Sequence, residues 1–433
     1  MTRKTPLWRF AAVAGAASLV LAACGDDGED TAEPEDEDTG AEEDEDAETD
    51  GEEMEFEPTP LTIGSLLPQT GQLAPIIESL EAGVELAVND INEASPDLIS
   101  WDAADSGTDA NVASENVDQF LTGEYAAIMG AAASGVSTAI VDKVQDAEVV
   151  MCSGSNTAAN LSQFDPYYYR TAPTDELQAP TLGDLIIGDG HSSVAVVWRN
   201  DEYGVGFGEA LADYLEGSGI EVPLRQGYDP QVTSFSDLTG EVANSGAQAL
   251  AAITFEEGGQ MVLDMQGVFD GQLYVADGFV DTVGADQLGG DPTVLEGVKG
   301  TYPSSAPETG EPTFPERFAE AYPDTPTIFS AHYYDCVITI TLAVQSAGSA
   351  DPTVFKDAIN DVTREGEKCS LFADCLELLE AGEDIDYDGA SGPLDFVEAG
   401  EPGAGTYDLF EYTGDEEGSR DTLEQVVTQG GGE

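Results

Sequence analysis

The chain has 433 residues, of which 87 are Asp or Glu and only 13 are Lys or Arg, for a formal charge of -74. So large a negative charge excludes nucleic acid and anionic membrane surfaces as partners, because both are polyanions. It suits high external salt, where counterions screen self-repulsion, and the expectation is a salt-tolerant source with an acidic, halophilic-type surface.

The chain opens with Arg3, Lys4 and Arg9, followed by an apolar stretch over residues 10–23. A basic start before a short apolar run predicts a secretory signal peptide over residues 1–23, too brief to serve as a permanent span. It ends in Leu21-Ala22-Ala23-Cys24-Gly25, which resembles the bacterial lipobox. That resemblance implies cleavage before Cys24 and a diacylglycerol thioether on its sulfur. Several acyl chains suffice for stable anchoring, so the mature chain is expected on the outer face of the cytoplasmic membrane. Residues 25–57 then hold 20 Asp and Glu with no Lys or Arg. Such a run repels itself and has too little apolar surface to fold, so residues 24–58 read as a disordered acidic tether.

Roughly 375 residues remain, enough for two lobes with separate cores. No later segment has 18 uninterrupted apolar residues. Residues 61–67 read as a buried strand. Ile77, Leu80, Val84, Val88 and Ile91 then recur at the spacing of a helix with one core face. Further strands are predicted at residues 98–103, 126–130 and 148–152, with helices between. The alternation resumes at 193–198, 222–227, 249–255 and 273–276. Strand and helix in repeated alternation predict parallel sheets covered on both faces. The fold class is therefore α/β, with two doubly wound lobes whose series meet near residues 170–175. Ligands of such sheets sit beyond the carboxyl ends of the strands. The residues to watch are therefore 67–72, 130–137, 152–157, 200–203, 255–258 and 277–279.

Apart from Cys24 there are four cysteines, an even number that favours disulfides outside the cytoplasm. Cys369 and Cys375 are near neighbours beside a predicted helix and are paired here. Cys152 with Cys336 follows by elimination. The spacing matches no zinc signature, His191 and His332 lie far from these cysteines, and neither a metal nor another cofactor is expected. Asp384, Asp386, Asp388, Gly389 and Asp395 fit the offsets of a calcium loop, but Asp replaces its final Glu. Pro393 and the lack of an exiting helix argue against that use. Dinucleotide, phosphate-loop, serine-elbow and metalloprotease motifs are missing from the sequence.

Five short motifs stand at or just past predicted strand ends, Leu-Pro-Gln-Thr-Gly (67–71), Ser-Gly-Val-Ser-Thr (134–138), Ser-Asn-Thr-Ala (155–158), Asn-Asp-Glu-Tyr-Gly (200–204) and Ala-Asp-Gly (276–278), and a sixth, Ser-Gly-Pro-Leu (391–394), follows later. In this order and spacing the chain from residue 61 to about 412 resembles the type I periplasmic binding proteins. The branch resembled is the leucine/isoleucine/valine-binding one that serves ABC importers. The resemblance implies two lobes joined by three crossings, closing on a small ligand. It implies lobe 1 at residues 59–172 and 304–398, and lobe 2 at 173–303 and 399–420, before a flexible tail at 421–433.

The resemblance also assigns residues. Ser134 matches the family's carboxylate-binding serine, and a helix start with free N–H groups suits an anion. Ser155 and Thr157 match positions that offer a carbonyl, a hydroxyl and an amide to both ends of an amino acid. Asp277 matches the acidic residue set against the ligand's ammonium, where a charge-assisted bond is strong. Tyr203, Phe255 and Ile76 match the surrounding aromatic and apolar wall. Read without the family, Ser134 and Thr157 are helix caps, Asp277 is a turn residue, and Tyr203 and Phe255 are packing. This chain departs from the branched-chain binders in carrying Asp rather than Glu at 277 and in lacking a hydroxyl at Phe255. The expected function is a non-enzymatic, monomeric solute receptor that delivers an amino-acid-like ligand to an ABC permease. The alternatives are a sensor for a receptor kinase and, from another class, a secreted α/β hydrolase. The hydrolase is disfavoured because two histidines in no triad order provide no nucleophile–base pair.

Overall fold

A computed structural model of the protein describes residues 56–430 except 165, 286, 306–309 and 417. The signal peptide, Cys24 and nearly all of the acidic tether lie outside the described residues.

Lobe 1 is built on a five-stranded sheet of β1 (Leu61–Leu67), β2 (Ile99–Asp105), β3 (Ala127–Gly130), β4 (Val150–Ser153) and β5 (Tyr168–Arg170). The order is β2-β1-β3-β4-β5 and every pairing is parallel. β3 and β4 are buried along their whole length, as strands covered on both faces must be. Two long helices, Ile77–Ala94 and Ser330–Ala347, pack side by side in this lobe. Gly83 permits their close approach, because a Cβ there would lie 2.2 Å from the Ser330 carbonyl oxygen.

Lobe 2 holds β6 (Val194–Arg199), β7 (Arg225–Tyr228), β8 (Ala249–Ile253), β9 (Gln272–Val275) and β10 (Lys299–Pro303). These run parallel in the order β7-β6-β8-β9-β10. A small third sheet in lobe 1 comprises β11 (Glu367–Cys369), β12 (Ile385–Gly389) and β13 (Gly392–Pro393). β14 (Ala404–Tyr412) then joins the lobe 2 sheet antiparallel to β10, with β15 (Arg420–Gln429) beyond it.

The chain passes between the lobes after β5, after β10 and again before β14. Arg170 and Glu401, buried on the first and third crossings, meet in an ion pair of 2.6 Å. Its remaining guanidinium donors reach the carbonyls of Asn156 and Ala158 at 3.2 and 2.8 Å. A buried charge must be paired to be tolerated, and here the pair also joins two crossings to a loop of lobe 1.

The eight strands read from sequence all form, with shifts of at most three residues at their ends. One boundary is corrected. Residues 421–433 read as a flexible tail, yet Arg420–Gln429 pairs with β14 along its length. The alternating Thr, Leu and Val of this segment are diluted by Asp and Glu on an exposed edge strand. Both disulfides form as paired from sequence: Cys152–Cys336 fastens β4 to the 330–347 helix, and Cys369–Cys375 fastens β11 to the Phe372–Glu380 helix. In the calcium-like segment Lys368 Nζ pairs with Asp386 at 3.2 Å and with Asp388 at 2.9 Å.

Candidate functional site

In both sheets the strand order reverses beside the first strand of the lobe, between β1 and β3 and between β6 and β8. At such a switch point the following loops diverge and leave a crevice. A cavity walled by both lobes lies there. Lobe 1 contributes Leu73, Ile76, Ala132, Ser134, Ser155 and Phe329. Lobe 2 contributes Tyr203, Phe255, Asp277, Gly278 and Thr282. A larger groove around Pro60, Tyr125 and Pro352 sits at the amino ends of the lobe 1 strands, on an open surface.

Six of the seven residues picked from sequence therefore line one hollow. Thr157 is not among the lining residues: it is buried, with its carbonyl accepting the Asp175 N–H at 2.8 Å.

Ser134 is the first residue of the Ser134–Asp146 helix, whose N-cap is Ala133 and which has no side-chain cap. Its hydroxyl is thus not spent on capping, and it accepts only a long bond of 3.4 Å from the Ala158 N–H. Four N–H groups at a helix start lack intrahelical partners, and together with the dipole they favour an anion. Ser155 is held by its own hydroxyl, which bonds the Ala132 carbonyl at 3.1 Å and the Tyr333 hydroxyl at 3.0 Å. Beside it Asn156 donates to the Ala131 and Ala132 carbonyls at 3.0 and 2.9 Å. Gly154 is required for close packing, since a Cβ there would meet Tyr333 N at 2.6 Å.

Across the cavity, Asp277 follows β9 and is 5% exposed. Tyr203 donates to it at 3.1 Å and accepts the Gly278 N–H at 3.2 Å. Burial pushes the Asp277 carboxyl up to about 7, against the downward pull of the Tyr203 hydrogen bond. Tyr203 stacks on Phe255 with centroids 5.4 Å apart and ring planes 16° apart. The hollow therefore has an anion-favouring helix start on one wall, an acid on the other and apolar or aromatic surface between.

Several neighbours escape a reading of the sequence. Asp175 is buried in the first crossing, and burial together with the charge of Asp277 raises its carboxyl well above the usual range. Tyr407, buried on β14, is raised by burial and by the same two acids. Phe329 lines the cavity in a left-handed backbone conformation, φ 57°, which a bulky residue adopts only under constraint. The polar Asp175 directly after Pro-Thr is the one signal available beforehand; nothing local distinguishes Phe329. His332 is buried and pushed down to about 3, hence neutral, and His191 stacks edge-on against Tyr274.

Residues 60–417 match the family described as periplasmic binding protein. A chemotactic signal transduction substrate-binding protein of Halobacterium salinarum is 23% identical over 367 residues, 80% of this chain and 86% of that protein. The leucine-, isoleucine-, valine-, threonine- and alanine-binding protein of Pseudomonas aeruginosa is 24% identical over 316 residues, 69% of this chain and 81% of that one. The leucine-binding protein of Thermotoga maritima shares the fold at a TM-score of 0.71 and 18% identity, covering 84% of this chain and 98% of its own. With the match spanning most of its length, the chain belongs to the periplasmic binding protein family.

Proposed function

We propose that the protein is a lipid-anchored solute receptor at the cell surface. It closes two lobes on a small amino-acid-like zwitterion and hands it to an ABC permease, performing no chemistry of its own. The observation that carries the reading is the opposition of Ser134 and Asp277 across one buried hollow. A carboxylate is drawn to the uncapped helix start and the Ser155 loop, while an ammonium is drawn to the acid. The apolar remainder, Leu73, Ile76, Phe255 and Phe329, takes an uncharged side chain. The relatives that bind aliphatic amino acids point the same way.

The test is thermal-shift and calorimetric screening against aliphatic amino acids, their amides and aromatic acids. A ligand at a hundred times its Kd stabilises by about 2.7 kcal/mol. Ser134→Ala and Asp277→Ala should each remove that gain. Binding of an aliphatic amino acid at undiminished strength by Asp277→Ala would refute the ammonium assignment. Mass spectrometry of the membrane-bound chain tests the anchor, with a diacylglycerol adduct expected on Cys24 and lost in Cys24→Ala. A second reading has one observation in its favour, the likeness to a chemotactic substrate-binding protein. There the closed form is handed to a signal transducer, and deleting the neighbouring permease would leave the response to ligand intact.

A further inference from the structure

Phe255, one wall of the cavity, is held on both faces. Tyr203 covers one, and the Arg199 guanidinium lies over the ring at 3.6 Å from its centroid. Arg199 ends β6 and is 3% exposed. Its donors go to Asp201 at 2.6 Å, to Glu257 at 2.9 Å and to the side-chain oxygen of Gln72 at 3.0 Å. The first two acceptors belong to lobe 2, as Arg199 does. Gln72 does not: it comes from the loop after β1 and is the neighbour in sequence of Leu73, a lobe 1 wall of the same cavity.

The amide of Gln72 is matched at both ends. Its oxygen accepts from the guanidinium, and its nitrogen donates to the Pro230 carbonyl at 3.2 Å and to Glu257 at 3.5 Å. Glu257 in turn accepts from Tyr228 at 2.8 Å. An amide that meets a cation with its acceptor and an anion with its donor fits this ion pair in one orientation only. When the lobes part, Gln72 must leave. Arg199 then has a donor facing water, and nothing from lobe 1 presses it against the ring. A second contact across the cleft, Asn160 to Glu202 at 2.9 Å, is exposed and does not touch Phe255.

We propose that Gln72 and Arg199 form a closure-dependent clamp on Phe255. The aromatic wall is fixed in position only as the lobes meet, and the size of the ligand side chain is selected at that step. Arg199 and Gln72 are positioning residues, since neither lines the cavity. The inference rests on the reading that this cavity takes the ligand. If Arg199 and Glu257 were merely an internal brace of lobe 2, Gln72 would have no influence on selectivity.

The experiment uses the full chain with Gln72→Ala, Gln72→Asn and, as a control, Asn160→Ala. Small-angle scattering reads lobe closure without added amino acid, and calorimetry gives Kd for L-alanine, L-valine, L-leucine and L-phenylalanine. Gln72→Ala is expected to open the cleft and to narrow the spread of Kd across the four amino acids at least fivefold. Binding of the amino acid preferred by the wild type should weaken most, and Gln72→Asn should fall between. Asn160→Ala is expected to weaken all bound amino acids by a common factor, leaving the spread as it was. The clamp is overturned if Gln72→Ala keeps the wild-type spread, or if Gln72→Ala and Asn160→Ala narrow it equally. Should the wild type bind none of the four, the proposed ligand class falls, and scattering alone decides the clamp. An open Gln72→Ala upholds it, and a cleft as compact as the wild type's overturns it.

Discussion

Replacing Asp277 by Asn should make the ligand-free protein more stable above neutral pH while abolishing its affinity for an amino acid. Asp277 is almost fully buried, and its carboxyl is pushed up from 3.8 to about 7. A folded-state value above the unfolded one means that folding takes up a proton between those two pH values. The favourable contribution is therefore complete below pH 3.8, declines as pH rises toward 7, and is gone above it. Over that interval the full linkage is roughly 4 kcal/mol at about 1.4 kcal/mol per unit. This is an upper bound, because parting the lobes returns the carboxylate to water and relieves part of the cost. For a folded unit of this size, roughly 4 kcal/mol corresponds to a rise in Tm of about 5 °C. Asp175 and Tyr407 stand close enough to feel Asp277, so the difference between wild type and variant, not either curve alone, isolates its effect. Scanning calorimetry from pH 4 to pH 8 should show coincident melting at the acid end and a more stable Asn variant at the alkaline end. Added amino acid should raise Tm only in the wild type. If Asp277→Asn melts below the wild type at pH 8, or keeps the ligand-induced rise, Asp277 is a structural residue and the argument fails.

Wild-type affinity for a zwitterion should fall by about tenfold per pH unit below 7, because a proton competes with the ammonium for one carboxylate; titration calorimetry at pH 5 to 8 reads the slope. Replacing Cys152 and Cys336 by Ser removes a link across 184 positions, whereas Cys369 and Cys375 close a link of 6. Chain entropy then predicts losses of about 5 and about 2 kcal/mol, so urea unfolding should rank the first pair as the costlier. Arg170→Met strands Glu401 without its cation and should cost about 3–5 kcal/mol, whereas the double variant with Glu401→Met should recover most of that loss. With a charge of -74, Tm should climb as salt is raised from 0.05 to 1 M; a Tm independent of salt would remove the case for a surface suited to brine.

Much of the architecture is legible because it rests on periodicity. The runs at β1, β3, β4, β6 and β8 are mostly apolar, and Ile77–Ala94 repeats its apolar residues every third or fourth position. What escapes is of a different kind. β10 reads Lys-Gly-Thr-Tyr-Pro and β5 reads Tyr-Tyr-Arg, so neither shows the apolar run by which the other strands are recognised. Each is a strand because a neighbouring strand of its sheet offers it hydrogen bonds. β15 is acidic and mostly exposed, and it is recruited in the same way by β14. Tertiary partners override local preference in such strands.

The site divides along the same line. Ser134, Tyr203, Phe255 and Asp277 stand just past strand ends, where the strand–helix alternation alone directs attention, and the motifs around them name the chemistry. Thr157 belongs to the same motif as Ser155, yet sequence spacing does not say which of the two lines the hollow. Arg170 grips the carbonyls of Asn156 and Ala158 beside them from the first crossing, while Glu401 holds it from the third. The loop that offers Ser155 to the cavity is thus fixed to the segments about which the lobes move. Asp277 and the Phe255 wall travel with the other lobe. In the proposed receptor, a ligand that bridged the two walls would gain its second set of contacts only on closure, so binding free energy would drive the lobe movement itself. A rigid pocket with the same residues would bind an amino acid equally well and yet display no difference between empty and filled forms for a membrane partner to detect.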